Sequence, residues 1–250
     1  MFSGIAAWVG LVTVGSTLSF AGPITPQFDS FGTLAAATFG GSGIPNNAVA
    51  ITQFTDNGAT ITLGLTAHQR FGSPPVSNNG AGTFTVLAGQ YPGAPELSLW
   101  NIGIYAAVEG GSFSDYQFEL LYDSDPGLDT DDSAHGLIVN DGFQLLTTGD
   151  VFQTSQNLGF DFLRNDFVLP PPLPPITLTF APAFPFDPSA LGQYTFSLRA
   201  YDSTGANLLG STSIAVNAVP EPSTLAIFAI GACGAAVAVR RRRRAAVASC

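Results

Sequence analysis

The chain has 250 residues, enough for one or two domains, and only 10% of them are charged, against about 25% in ordinary soluble chains. Residues 22–218 carry 17 acidic side chains against Arg70, Arg164 and Arg199, a net of −14, which argues against nucleic acid as a partner because such a surface repels phosphate backbones. The 20 phenylalanines exclude a disordered chain, while 28 glycines and 18 prolines fit many turns between short apolar strands.

Residues 1–21 read as a secretory signal peptide. The apolar stretch Ile5 to Val14 is followed by small residues ending Ser19-Phe20-Ala21, which fits the small-x-small cleavage rule. Cleavage after Ala21 leaves Gly22-Pro23 at the front. Met1 to Gly4 lacks the usual Lys or Arg. The alternative is a buried first strand or helix.

Residues 22–218 show no helix-length amphipathic pattern. They show short alternating or apolar runs bounded by turn residues, the pattern of an all-β domain. The expected strands are Ala48–Phe54, Thr60–Ala67, Gly82–Ala88, Leu97–Val108, Tyr116–Tyr122, Gly136–Val139, Val151–Thr154, Ile176–Phe180, Gln193–Tyr201 and Ser211–Asn217. Turns are expected at Asp56-Asn57-Gly58, Ser77 to Gly80, Glu109 to Gly111, Asp141-Gly142 and Ser203 to Gly205. Strands at this spacing suggest a single β-sandwich. Trp100 is expected in its core, with a sugar-stacking platform as the alternative.

The acidic segment Asp123-Ser-Asp125-Pro-Gly127-Leu-Asp129-Thr-Asp131-Asp132 is the sharpest candidate site. Pro and Gly force a turn, and calcium takes six to eight oxygens from a flexible loop. Asp123, Asp125, Asp129, Asp131 and Asp132 are therefore read as a calcium loop, with an acidic surface turn as the alternative. Asp115 and Glu119 precede it as further candidates. His135 closes the loop and is expected to face solvent, with a His-carboxylate metal site as the alternative; it and His68 are the two histidines. No G-x-S-x-G, H-E-x-x-H or phosphate loop occurs, so no catalytic residue is assigned. The middle segment has no cysteine, since both lie later, at Cys233 and Cys250.

Leu169 to Pro175 cannot be a paired strand, because proline removes the ladder donor. It reads as a polyproline crossing between sheets, a ligand for an aromatic groove, or a domain boundary. Beyond it, Tyr194, Phe196 and Leu198 put large residues on one face of a closing hairpin.

Val219-Pro220-Glu221-Pro222-Ser223-Thr224 is followed by an uncharged run, Leu225 to Val239, and then by Arg240, Arg241, Arg242, Arg243 and Arg244. Pro220 and Pro222 hold the backbone extended, a form that a processing enzyme can grip. As a helix the run spans about 22 Å, short of the ~30 Å hydrocarbon core unless flanking residues extend it. The arginines are expected to stay cytoplasmic, which leaves the β domain outside.

In this order, Pro220-Glu221-Pro222, the apolar run and the Arg cluster resemble the PEP-CTERM sorting signal of bacteria that make exopolysaccharide. The resemblance covers about 27 residues, 219–245. It implies an exosortase, a membrane protease-transpeptidase that cuts near Pro-Glu-Pro, as partner, and a single C-terminal transmembrane helix holding the chain in the inner membrane before processing. The segment D-S-D-P-G-x-D-T-D is similar to one often seen in such proteins. The closing hairpin resembles the last two strands of immunoglobulin-like domains that precede these tails. The expected fold is an immunoglobulin-like or jelly-roll-type β-sandwich. The expected role is a non-enzymatic, calcium-stabilised surface or matrix protein associated with extracellular polysaccharide. The alternatives are a carbohydrate-binding or carbohydrate-active domain on the same export route, and a plain anchored protein whose tail is never processed.

Overall fold

The structure is a computed structural model that describes residues 24–71, 74–128, 130–170 and 176–221. The expected signal peptide, Pro171 to Pro175, and the apolar run with its arginines lie outside the described residues.

In chain order the strands are β1 (Ser30–Gly32), β2 (Val49–Asp56), β3 (Ala59–Gln69), β4 (Ser77–Asn78), β5 (Thr83–Leu87), β6 (Gln90–Tyr91), β7 (Ala94–Ser98) and β8 (Trp100–Glu109). There follow β9 (Gln117–Tyr122), β10 (Gly136–Ile138), helix α1 (Asn140–Leu146), β11 (Val151–Gln156), helix α2 (Asp161–Arg164), β12 (Phe167–Val168), β13 (Thr177–Phe180), β14 (Gly192–Tyr201) and β15 (Leu208–Val219). Each strand expected from alternation is present, although Leu97–Val108 divides at Leu99 into β7 and β8.

Two sheets stack as a β-sandwich-like fold. One has the order β1-β2-β3-β8-β11; the other has the order β12-β13-β10-β9-β14-β15-β5-β4. Pairings are antiparallel except β15 with β5, which is parallel. β15 packs across β2 and β3, and β14 also meets β3.

The core follows from the period of two. On β3, Ile61, Leu63 and Leu65 are fully buried while Thr60, Thr62, Gly64, Thr66 and His68 take the other face. Tyr194, Phe196 and Leu198 of β14 face them as expected and are essentially inaccessible. Trp100 is a core residue, with Phe186 and Phe196 edge-on at 6.3 Å and Tyr194 tilted at 5.7 Å.

Asp141-Gly142, expected as a turn, instead opens helix α1. Phe143 explains the difference. It is fully buried against Phe152 at 4.4 Å and Phe118 at 6.0 Å, and a helical turn lets it reach between β9 and β11.

A second apolar cluster covers the outer face of the five-stranded sheet. Phe39, Ala37, Val49, Tyr105 and Ala107 form it, with Leu34 and Ile44 alongside. Phe39 fits because Gly103 has no Cβ: a methyl group there would lie 2.8 Å from the Phe39 ring and 2.7 Å from the Thr66 methyl. Gln153 of β11 anchors this segment, its Oε1 accepting from the backbone N–H of Thr38 at 2.8 Å and of Phe39 at 3.0 Å.

Candidate functional site

The sorting segment begins on the sandwich itself. Ala218 and Val219 end β15, pairing with Val86 and Leu87 of β5, and the Val219 carbonyl accepts from the Ala88 N–H at 2.9 Å. β15 lies inside its sheet, between β14 and β5. Pro220 follows at once, and its missing N–H ends the ladder. Pro220 and Glu221 are described; Pro222 and Arg240 to Arg244 are not.

The acidic segment leaves β9 and returns through β10. Asp123 is almost inaccessible. Its N–H donates to the Thr195 carbonyl at 2.9 Å and its Oδ1 accepts the Asp125 N–H at 2.9 Å. Asp125 repeats the motif on Gly127 at 3.1 Å, so two consecutive turns are closed by carboxylates. Burial pushes the Asp123 carboxyl up to about 6, opposed by these backbone donors and by the neighbouring His135. Asp132 leaves the group: its Oδ2 accepts from Arg199 Nη2 of β14 at 2.8 Å.

His135 does not face solvent as expected. It is buried, its Nδ1 donating to the Asp131 carbonyl at 2.9 Å and its Nε2 lying 3.0 Å from Thr195 Oγ1. The reason is local: a 3-10 turn over Asp132–Ala134 swings the ring inward under β14. Asp115 and Glu119 go elsewhere. Asp115 caps a turn by accepting from the Ser112 N–H at 3.2 Å, and Glu119 pairs opposite Arg199. Among the described residues, no three Asp, Glu, His or Cys side chains are grouped to hold a metal ion; Asp129 lies outside them. Thr130 Oγ1, Asp131 Oδ1 and Asp132 Oδ1 are buried without a hydrogen-bond partner among the described residues.

A third constellation escaped the sequence reading because its members lie far apart in the chain. On the outer face of the five-stranded sheet, β3, β8 and β11 bring His68, Asn101 and Ser155 side by side. Asn157 Nδ2 donates to Asn101 Oδ1 at 2.8 Å, Asn101 Nδ2 to Ser155 Oγ at 2.8 Å, and the Ser155 hydroxyl to His68 Nε2 at 3.0 Å. His68 Nδ1 then donates to the Gln69 carbonyl at 2.9 Å. A carbonyl can only accept, so this last bond sets the tautomer and the direction of the whole row. Burial holds the His68 pKa below its ordinary 6.5, which keeps the ring neutral. The only sequence trace of the row was polar residues on the outward positions of apolar strands. It floors a cavity of about 700 Å³, walled by the Phe39–Pro45 segment on one side and by Arg70, Phe71 and Phe160 on the other.

Comparison with known proteins agrees with the junction geometry. The family model described as the PEP-CTERM protein-sorting motif matches residues 218–244, from the last residues of β15 onward. No curated protein and no solved structure matches the chain. Among the described residues, no helix is long and apolar enough to cross a membrane, and residues 225–239 lie outside them. With Pro220-Glu221-Pro222 directly after a paired strand and that model matched across it, the chain carries a PEP-CTERM protein-sorting motif, consistent with a PEP-CTERM domain-containing exosortase substrate.

Proposed function

We propose that the chain is an exported cell-surface or extracellular-matrix protein. A signal peptide over 1–21 delivers it, the helix 225–239 with Arg240 to Arg244 holds it in the inner membrane, and an exosortase processes it at Pro220-Glu221-Pro222. The β-sandwich over 22–218 then serves cohesion or adhesion among extracellular polysaccharide. The observation that carries this reading is the continuity of β15 with the matched motif, which starts the Pro-Glu-Pro segment at the border of the fold. The antiparallel β14–β15 hairpin favours the immunoglobulin-like or jelly-roll-type form of the sandwich.

The proposed role is structural rather than catalytic. In the His68 row the imidazole is oriented by a backbone carbonyl, and its Nε2 is occupied by the Ser155 hydroxyl. Calcium stabilisation of Asp123, Asp125, Asp129, Asp131 and Asp132 is part of the same reading. Its support is the three partnerless oxygens on consecutive residues, Thr130 to Asp132, directly after Asp129. A second reading, a carbohydrate-binding or carbohydrate-active domain on the same route, is favoured by the cavity over β3, β8 and β11.

The test is the intact mass of the protein recovered outside the cells that make it. A C-terminus near Pro220–Pro222 supports processing, and an added glycolipid-like mass supports covalent attachment. A mass that still includes Arg240–Cys250 overturns the sorting reading.

A further inference from the structure

The outer-face cavity differs in charge from the rest of the domain. Residues 22–218 carry 17 carboxylates, yet none lines this cavity, while one of the segment's three arginines does. Such sorting gives the acidic surface a concave place whose lining meets an anion with no carboxylate. At about 0.15 M salt the wider negative field is screened beyond roughly 8 Å, so local groups decide what enters.

Arg70 is held ready rather than paired. Its guanidinium carbon lies 4.9 Å from the Tyr91 ring centre, 5.2 Å from Phe71 and 5.6 Å from Phe160. Three rings fix its plane by cation–π attraction. Among the described residues the one ion pair is Arg199 with Asp132, so Arg70 has no carboxylate partner there. Its Nε is buried and lacks a hydrogen-bond partner among them, a condition native folds rarely leave unmet.

The backbone at the cavity mouth is also unusual. Among the described residues, three non-glycine residues have positive φ: Phe39 at 49°, Asn57 at 49° and Phe71 at 25°. Asn57 sits in the tight turn between β2 and β3, where this conformation is ordinary. Phe39 has the same explanation, since the Gly41 N–H donates to the Thr38 carbonyl at 3.0 Å and Gly40 follows at 75°. Phe71, also on the cavity wall, is a bulky residue in a sparsely populated conformation, an outlier of the kind that clusters where a side chain is presented to a ligand. Phe71 is 74% exposed, a large ring held into solvent at the cavity mouth.

We propose that this cavity binds a carboxylate-bearing saccharide: Arg70 takes the carboxylate, the Phe71 ring stacks on a sugar face, and Ser155, Asn101 and Thr154 line the floor for hydroxyls. Each part matches that chemistry. A planar guanidinium takes a carboxylate by two parallel bonds. An exposed ring covers the apolar face of a pyranose. Neutral hydroxyls and amides, which donate and accept, suit a ligand whose own groups do both. A cavity of about 700 Å³ holds one or two sugar rings and is far larger than a simple anion needs. The choice of a polysaccharide unit rests on the matrix reading above. The site itself does not, because it uses residues 39–160 and no part of the sorting motif.

The experiment is calorimetric titration of the full chain, in metal-free buffer, with galacturonate tetrasaccharide, its methyl ester and acetate. Saturable binding of the tetrasaccharide is expected, with about tenfold weaker binding of the ester. Arg70→Gln should weaken the tetrasaccharide by about tenfold or more, Phe71→Ala by about threefold or more, and exposed Arg164→Gln should change nothing. Absence of saturation at roughly 10 mM overturns the proposal, and so does an ester bound as tightly as the acid. Acetate bound as tightly as the tetrasaccharide reduces the cavity to an anion site and overturns the saccharide. If Arg70→Gln fails to fold, Phe71→Ala carries the test, since its ring is solvent-exposed, and unchanged binding in it overturns the stacking. Failure here leaves the intact-mass result untouched, and the converse holds.

Discussion

Val219 pairs in parallel register with Leu87, one residue before Pro220 opens the Pro-Glu-Pro segment. The matched motif therefore starts while the chain is still held in a sheet. Five residues, Pro220 to Thr224, separate that strand from the apolar run. Fully extended they reach about 17 Å, so the folded domain sits close to any enzyme at the membrane surface. Inserting Gly-Gly-Ser-Gly-Gly-Ser between Val219 and Pro220 should raise the processing rate, read as the fraction with a trimmed mass at early times. An unchanged rate would mean that the folded border does not limit access.

Phe196 sits at zero exposure on β14 and meets Trp100 edge-on at 6.3 Å. Phe196→Ala removes a buried ring where two sheets interlock, and a cavity lined by Trp100 and Tyr194 is poorly able to collapse. A loss of about 3–5 kcal/mol is expected. Urea unfolding followed by Trp100 emission measures it. A loss under about 1 kcal/mol would show that the neighbouring rings refill the space.

Gly136 opens β10 against the fully buried Tyr122 ring, which a Cβ at this position would strike. The ring cannot swing away. Its hydroxyl donates to the Leu163 carbonyl at 2.7 Å, with the Phe180 carbonyl at 3.2 Å, tying α2 and β13 to β9. Gly136→Ala should cost about 1–3 kcal/mol although it adds one methyl group. The same substitution at Gly58, where nothing lies within 4 Å, adds no clash and isolates the backbone contribution of its positive φ. Equal effects at the two sites would refute the steric account.

What was readable in the sequence follows from how local each signal is. Alternation in Thr60–Ala67 and Gln193–Tyr201 is a local signal, and it yielded strands close to those observed. The sorting motif is also local: proline, apolar run and arginines stand in one stretch. The His68–Ser155–Asn101 row was hidden because it depends on register between β3, β8 and β11, which no single segment encodes. The burial of His135 was hidden for a related reason. Its partner Thr195 lies 60 residues on, and only the pairing of β9 with β14 brings it near.

The acidic loop makes a calcium prediction. Asp125 spends one oxygen on a backbone N–H and Asp132 spends one on Arg199, so each keeps a second oxygen, while Asp123 Oδ2 lies 3.4 Å from Thr195 Oγ1. At about a hundredfold excess over its dissociation constant, calcium should add roughly 2.7 kcal/mol. For a domain of this size that is a rise in Tm of roughly 5–10 °C. Chelator, or Asp125→Ala with Asp129→Ala, should abolish the rise. No calcium-dependent shift at millimolar concentration would remove the calcium reading.

Asp123 and His68 give the stability opposite dependences on pH. The Asp123 carboxyl is raised from its ordinary 3.8 to about 6, chiefly by burial. A raised acid favours folding while protonated, so its contribution is complete below about pH 4 and is lost as pH rises through about 6. Two pH units correspond to on the order of 3 kcal/mol. His68 is lowered from 6.5 by burial and works the other way. Its neutral ring accepts from Ser155, so its contribution is present above pH 6.5 and is lost as pH falls below it. In chelator, urea unfolding between about pH 4 and 7 should separate the two. Asp123→Asn should make stability climb more steeply with pH between about 4 and 6, because only the opposing His68 effect remains. His68→Gln should flatten or reverse that climb. An Asp123→Asn slope equal to the parent's would show that Asp123 is ionised in the folded chain across this range. In that case Thr195 Oγ1, 3.4 Å from Asp123 Oδ2, would be donating to a carboxylate rather than facing a protonated acid.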